Sequence, residues 1–221
     1  MIINVAHTKG GVGKTTIAVN LAVELKATML DLDLQGSSLR FAEIRNEGGI
    51  KPNITVFTVT HDTINSSPVL YKEIERCHGS LDNHLVIDSG GMDNNIIREG
   101  FFLSDIIITP VGISQVEFYG LQDFDELLQA TDKIDRNKTY ALLNNINPQA
   151  KKNIANAREL IDEEFDFKLL NSMLGNRIAY KEAYGEGKSV CELDNKSKAA
   201  AEIHGLVREL KTIFSVIDQF L

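Results

Sequence analysis

Two cysteines in 221 residues, Cys77 and Cys191, are too few for a disulfide framework. They lie far apart, with no C-x-x-C and no nearby histidine pair, so their spacing offers no zinc motif; a reduced, cytoplasmic compartment is the expectation. No apolar run approaches the roughly 20 residues of a membrane span. The opening MIINVA runs straight into a glycine-rich loop and leaves no basic or apolar leader region, so no membrane attachment is expected. Repeats, low-complexity stretches and long linkers are also lacking, which points to one domain over residues 1–221. A chain of this length buries roughly 70% of its unfolded surface and has no need of staples. The net charge of -8 argues against a surface that is basic all over. Any nucleic-acid contact must come from a local patch, and Arg177, Lys181, Lys188, Lys196, Lys198, Arg208 and Lys211 accumulate late in the chain. That run reads either as a solvated helical face or as a phosphate-binding patch.

What the sequence does contain is a regular alternation of short apolar runs with amphipathic ones. This is the pattern of β-α units winding a mostly parallel twisted sheet with helices on both faces. Strands are expected at residues 2–6, 28–32, 54–59, 84–87, 105–109 and 138–143, with one more near 165–169. Ile17, Ala18, Leu21, Ala22 and Leu25 form an i, i+4 stripe that predicts a helix over residues 14–26. Ser114 and Glu117 have the spacing of a capping box, opening a helix that carries Leu121, Phe124, Leu127 and Leu128.

Between the first strand and the first helix stands HTKGGVGKTT. A strand that ends in glycines and feeds a helix makes an anion site, because free backbone N–H groups and the helix dipole converge on one point. Lys14 adds the cation that follows the β- and γ-phosphates, and the Thr15 hydroxyl suits Mg²⁺, so a P-loop NTPase fold is expected. Gly10, Gly11, Val12, Gly13, Lys14, Thr15 and Thr16 are the candidate cradle for ATP. Yet the template G-x-x-x-x-G-K-[ST] fails at its first position, Thr8, and a second lysine, Lys9, follows it. Farther on, HLVIDSGG sets Asp88 after three apolar residues, the arrangement in which a carboxylate holds Mg²⁺ through its water shell. Gly90 and Gly91 could bring backbone N–H groups to the γ-phosphate. These groups all fall at C-terminal ends of predicted strands, where an open α/β sheet binds ligands.

KGGVGKTT resembles the deviant Walker A motif of the ParA/MinD family of ATPases, and MLDLDLQGSS resembles that family's D-x-D-P-Q-G signature with Leu34 in place of proline. The resemblance implies an ATP-dependent sandwich homodimer in which Lys14 serves its own nucleotide and Lys9 the neighbour's. It implies that Asp33 positions the attacking water, and it leaves Asp31 facing the sheet end or a polar neighbour. ALLNNINP resembles the family segment that contacts the base. Asn144 has the donor and acceptor to read an adenine edge, or else caps the turn before Pro148.

Residues 176–210, NRIAYKEAYGEGKSVCELDNKSKAAAEIHGLVREL, resemble the closing stretch of small plasmid- and chromosome-partitioning ParA proteins. That likeness implies an ATP-bound dimer holding nonspecific DNA through residues such as Arg177, Lys181, Lys188 and Lys198. It also implies nucleoid association in the ATP state and a ParB-like centromere-binding partner that stimulates hydrolysis. Two other readings stay open. One is a MinD-like or conjugation-associated positioning ATPase. The other is a small-molecule ligase of the dethiobiotin synthetase type, which shares the glycine loop but has no use for Lys9.

Overall fold

The computed structural model describes residues 1–58, 68–77, 83–131 and 134–218. Seven parallel strands form one sheet: β1 (Ile2–Val5), β2 (Thr28–Asp31), β3 (Val56–Thr58), β4 (Leu85–Asp88), β5 (Ile106–Val111), β6 (Thr139–Ile146) and β7 (Lys168–Gly175). Their order across the sheet is β3-β2-β4-β1-β5-β6-β7, with β1 flanked by β4 and β5. Every strand pairing among the described residues is parallel, and the central strands β1, β4 and β5, buried at every position, read as apolar runs rather than alternations, while the outer strands β3 and β7 keep exposed residues.

Odd and even strand residues feed two separate cores. Ile3 and Val5 face α1 (Lys14–Leu25), together with Phe41 of α2 (Ser37–Glu47), α7 (Ala179–Gly185), α8 (Val190–Leu193) and α9 (Lys198–Asp218). Ile2 and Ala6 face α4 (Asn95–Leu103), α5 (Gln115–Ala130) and α6 (Lys151–Glu164). A further helix, α3 (Pro68–Cys77), precedes β4. Helices therefore cover both faces, as expected from the pattern. Among the described residues, no helix is long and apolar enough to cross a membrane.

Three local expectations shift. The strand expected near 165–169 begins only at Lys168 and runs to Gly175. Phe165 instead closes α6, and its ring stacks on Phe167 at 5.5 Å, with Phe167 tilted against Phe124 at 6.2 Å; the aromatic alternation imitates a strand but serves a ring cluster. The strand expected at 54–59 starts at Val56, and Val59 lies outside the described residues. Ser114 does stand at the head of α5, but its side chain makes no cap bond. Its carbonyl accepts from the Glu117 and Phe118 N–H groups, while the Glu117 carboxylate turns to Lys9. A complete capping box does occur at Ser189 and Glu192, opening α8.

That second box anchors the C-terminal layer to the sheet. Arg45, on α2 and fully buried, donates to both carboxylate oxygens of Glu192 at 2.7 Å, to the Gly187 carbonyl at 2.9 Å and to the Pro52 carbonyl at 2.9 Å. Gly187 has φ +66°, and a methyl group there would stand 2.5 Å from the Arg45 backbone nitrogen, so no other residue fits the crossing. Breaking a buried pair strands the remaining charge. We expect Glu192→Gln to lower stability by about 2–4 kcal/mol in urea unfolding, with Arg45→Ala at least as damaging.

Candidate functional site

The register of the three central strands brings the site together. Val5 of β1 pairs with Asp88 of β4, and Asp88 with Asp31 of β2, so the strand that enters the glycine loop lies beside two carboxylates. The loop leaves Val5 and delivers Lys14 to the first turn of α1. Gly11 (φ +77°) and Gly13 (φ +96°) hold left-handed conformations that only glycine adopts without strain. A methyl on Gly13 would also lie 2.4 Å from the Asn144 amide nitrogen.

Each predicted site residue has a definite place. Lys14 is buried, and its Nζ donates to the Lys9 carbonyl at 2.9 Å; burial holds its pKa below the usual lysine range, with Asp88 and Asp33 opposing that shift. Asp88, 1% exposed, accepts from the Ser38 hydroxyl at 2.7 Å and from the Thr15 hydroxyl. Desolvation pushes its pKa up to about 7, Asp31 adds to the rise, and Ser38, Thr15 and Lys14 pull against it. Asp31 is fully buried and structural: it accepts from the backbone N–H groups of Asp33, Ser38 and Leu39, bending the loop after β2 and capping α2. Asp33 is half-buried on that loop, with Oδ1 accepting from the Gln35 N–H at 3.0 Å.

Two glycines after β4 let the loops close on one another. A methyl on Gly91 would meet the Thr8 carbonyl at 2.7 Å, and one on Gly90 would crowd the Asp33 Cα at 3.3 Å. Asn144 spends its amide N–H on the Val12 carbonyl at 2.7 Å, gripping the glycine loop from the end of β6. Clefts of about 320 and 220 Å³ flank the loop, one lined by Thr15, Thr16, Ser37, Lys181 and Tyr184, the other by Gly11, Val12, Glu117, Asn144 and Asn145. A larger cleft of about 450 Å³ opens at the opposite end of the sheet, around Phe102, Asp105, Lys138 and Tyr140. It shares no residue with the glycine loop or the carboxylates.

Lys9 does not turn back to its own loop. Its stem packs where Gly120 of α5 leaves space, with a methyl there only 3.2 Å from Lys9 Cδ, and its Nζ lies 3.3 Å from Glu117 Oε2, one helical turn away. Sequence reasoning missed Glu117 in this role because its spacing matched a cap. It also missed His7 and Ser38. His7 is buried and stacks on Phe124 at 5.7 Å; its Nδ1 accepts from the Lys9 N–H at 3.0 Å, fixing the neutral tautomer and the turn of the loop. Burial, with Lys14 and Lys9 nearby, pushes the His7 pKa down to about 4. No spacing rule marks either residue, although both sit inside the quoted motifs.

Of the four basic residues expected to meet DNA, Arg177 is engaged with Glu202, its Nε and Nη2 donating to one carboxylate oxygen at 2.9 and 2.5 Å. Lys188 pairs with Glu186 at 2.8 Å. Lys181 and Lys198 are exposed, on α7 and α9.

Comparison with known proteins gives a concordant picture. Residues 3–190 match the family described as the CobQ/CobB/MinD/ParA nucleotide binding domain. The chain is 25% identical to the maintenance of carboxysome distribution protein A of Halothiobacillus neapolitanus, over 93% of this chain and 94% of that protein. It is 24% identical to protein ParA of Rhizobium radiobacter, over 100% and 99% respectively. Its fold superimposes with a TM-score of 0.67 on a plasmid partition protein of Borrelia burgdorferi bound to AMPPNP, at 17% identity, covering 95% of this chain and 97% of that one.

Asp88 and His7 oppose each other with pH. Between about pH 4 and 7 the folded chain keeps a proton on Asp88 that the unfolded chain has lost, so this term makes stability fall as pH rises. Between about pH 4 and 6.5 the unfolded chain carries a proton on His7 that the fold refuses, so this term makes stability rise with pH. Asp88→Asn should therefore gain stability relative to the parent as pH climbs from about 4 to 7, by at most about 1.4 kcal/mol per pH unit, and level off above. Urea unfolding across pH in the absence of nucleotide and magnesium measures it.

Proposed function

Because the chain belongs to the CobQ/CobB/MinD/ParA nucleotide-binding family, we propose that it is an ATP-driven switch that partitions DNA, closing into a sandwich homodimer over two nucleotides. ATP lies along the loop from Gly10 to Thr16, with Lys14 on its phosphates and the Gly91 backbone near the γ-phosphate. The residues around Asp88 fit Mg²⁺: a buried carboxylate with the hydroxyls of Thr15 and Ser38 is a hard-oxygen set, and a dication removes the cost of ionising Asp88. When bound, the ion neutralises charge on the β- and γ-phosphates. Asp33 orients the attacking water, held at a fixed height by its own loop and by Gly90 behind it.

The observation that carries the reading is the direction of Lys9. A lysine serving its own nucleotide would fold into the glycine loop, as Lys14 does; Lys9 instead runs out along α5 to Glu117. Large apolar side chains stand exposed beside these elements in the chain: Met92 (65%) follows Gly91, and Val116 (62%) and Tyr119 (56%) flank Glu117 on α5. Such residues suit a face that a second copy covers. A cation delivered in trans to transition-state charge is worth on the order of 10³-fold or more in rate. Pairing also doubles a weak basic patch, so that an acidic chain can hold nonspecific DNA through Lys181 and Lys198 only when dimeric. Specific recognition then falls to a ParB-like partner that triggers hydrolysis and release.

A second reading keeps the switch and changes the cargo. The relative from Halothiobacillus neapolitanus bears the name of a carboxysome distribution protein, and this chain could place a protein assembly by the same cycle.

The deciding measurement is retention on random-sequence DNA with ATP, with ADP and with neither, repeated across salt. We expect retention only with ATP, falling steeply as salt rises. It should be lost in Lys9→Ala, which still binds ATP by calorimetry, and prolonged in Asp33→Ala. Equal retention in all three nucleotide states, or wild-type turnover by Lys9→Ala, would overturn the proposal. ATP-dependent dimers that ignore DNA would favour the second reading.

A further inference from the structure

On the side of α1 turned toward the C-terminal layer, three chemically different ligating groups meet. Glu24 lies near the end of α1, Cys191 in α8 and His204 in α9, and one donor atom from each falls within 4.8 Å of the other two. His204 Nε2 stands 3.5 Å from Glu24 Oε2. The other carboxylate oxygen, Oε1, accepts from the Ser189 hydroxyl at 2.8 Å, which fixes how the carboxylate faces the cluster. Cys191 is buried at 8% exposure; its thiol donates over a long 3.8 Å to the Ala200 carbonyl and also interacts with the Glu24 carboxylate and the Ser189 hydroxyl. The His204 side chain is 37% exposed and Glu24 17%, so an ion has a way in from solvent.

We propose that Glu24, Cys191 and His204 bind a borderline-soft divalent cation of the zinc type, with water as the fourth ligand. One thiolate, one imidazole and one carboxylate form a donor set that zinc accepts and that magnesium, a hard ion, does not. In a tetrahedral site the donor atoms sit roughly 3.3–3.8 Å apart, given bond lengths of about 2.0–2.3 Å; the His204–Glu24 pair already stands at 3.5 Å, and Cys191, within 4.8 Å of both, has to close in by up to about 1 Å, a side-chain adjustment. Charge also balances. Binding releases the Cys191 proton to solvent, and the dication is then matched by one thiolate and one carboxylate, with a neutral imidazole. Ser189 supplies the outer hydrogen bond that such ligands use to hold their orientation. The cysteine spacing in the sequence conceals this site, because its donors come from residues 24, 191 and 204 on three separate helices.

The ion would staple α1, which begins at Lys14 of the glycine loop, to α8 and α9. Such a staple acts on the fold whether or not nucleotide is bound, so its test is independent of the switch proposed above.

Tag-free protein is titrated with Co²⁺ as a spectroscopic probe, in the parent and in a Cys77→Ser background where Cys191 is the one thiol. We expect one equivalent to produce near-ultraviolet thiolate-to-cobalt charge transfer and the intense visible bands of a four-coordinate ion, both displaced by Zn²⁺. Stoichiometric Zn²⁺ should raise the thermal midpoint, and Mg²⁺ without nucleotide should not reproduce this. Cys191→Ser should abolish the charge-transfer band, and His204→Ala and Glu24→Gln should each weaken binding at least tenfold. His204 is partly exposed, so its variant keeps the test valid should the buried Cys191→Ser fail to fold. Absence of the charge-transfer band, or binding of equal affinity in His204→Ala, would overturn the site.

Discussion

Asp88 is a carboxylate almost wholly removed from water at the end of the central strand pair, and the rest of the site is arranged around that fact. Ionising it there is costly, which is why its pKa rises toward neutrality although two hydroxyls and a lysine oppose the shift. A sheet that wanted only a stable core would place an apolar residue at this point. What offsets the cost is a cation, and every neighbouring group is compatible with one: Thr15 and Ser38 offer oxygens, Lys14 stands close, and Asp31 spends its charge on the backbone of the next loop. On the function proposed above, instability of the bare carboxylate and affinity for a magnesium-bearing ligand would be two sides of one electrostatic arrangement.

That arrangement depends on frames far from it in sequence. The site is built at the C-terminal edge of β1, β4 and β2, and the register places Val5, Asp88 and Asp31 in one row. On one face α1 carries Lys14 and Thr15 and is packed against α9, while α2, capped by Asp31, is locked to the C-terminal layer through Arg45 and Glu192. On the other face α5 receives Lys9 and His7. The two cores therefore do different work. One fixes the phosphate side, and the other fixes the direction of the second lysine.

Much of this was legible in the chain. Apolar runs ending in glycine or aspartate mark buried parallel strands without ambiguity, because no half-exposed strand is apolar at every position. The glycine loop and Asp88 were legible because local backbone chemistry dictates their residue types, whereas Asp33 stood out only through the likeness of MLDLDLQGSS to a family signature. Legibility failed where a side chain answers to a distant partner. Glu117 sits three residues after a serine and looks like a cap, but its carboxylate is drawn to Lys9, more than a hundred positions earlier. Phe165 and Phe167 alternate as a strand would, yet their rings belong to a cluster with Phe124. Arg177 looks like a free cation in a basic run, and Glu202 on α9, beyond α7 and α8, engages it. His7 precedes a recognisable motif, but nothing local shows that Phe124 will cover it.

The pairing of Lys9 with Glu117 bears on how the proposed switch could work at all. Both side chains keep about a third of their exposure, 34% and 30%, and although Glu117 Oε2 itself is buried, its 3.3 Å contact with Lys9 lacks hydrogen-bond geometry, so the pair is a loose one worth about 1 kcal/mol. In the dimer proposed above, a triphosphate would offer several charges at once and, inside a closed interface, a lower local dielectric, so a second subunit's nucleotide would outcompete Glu117. A fully buried partner would have held Lys9 too firmly, since breaking such a pair costs several kcal/mol. No partner at all would have left a flexible lysine to be ordered at dimerisation, at the entropic cost of a long side chain. A half-exposed carboxylate one turn along α5 avoids both extremes: it aims the ammonium across the face while holding it loosely enough to be taken.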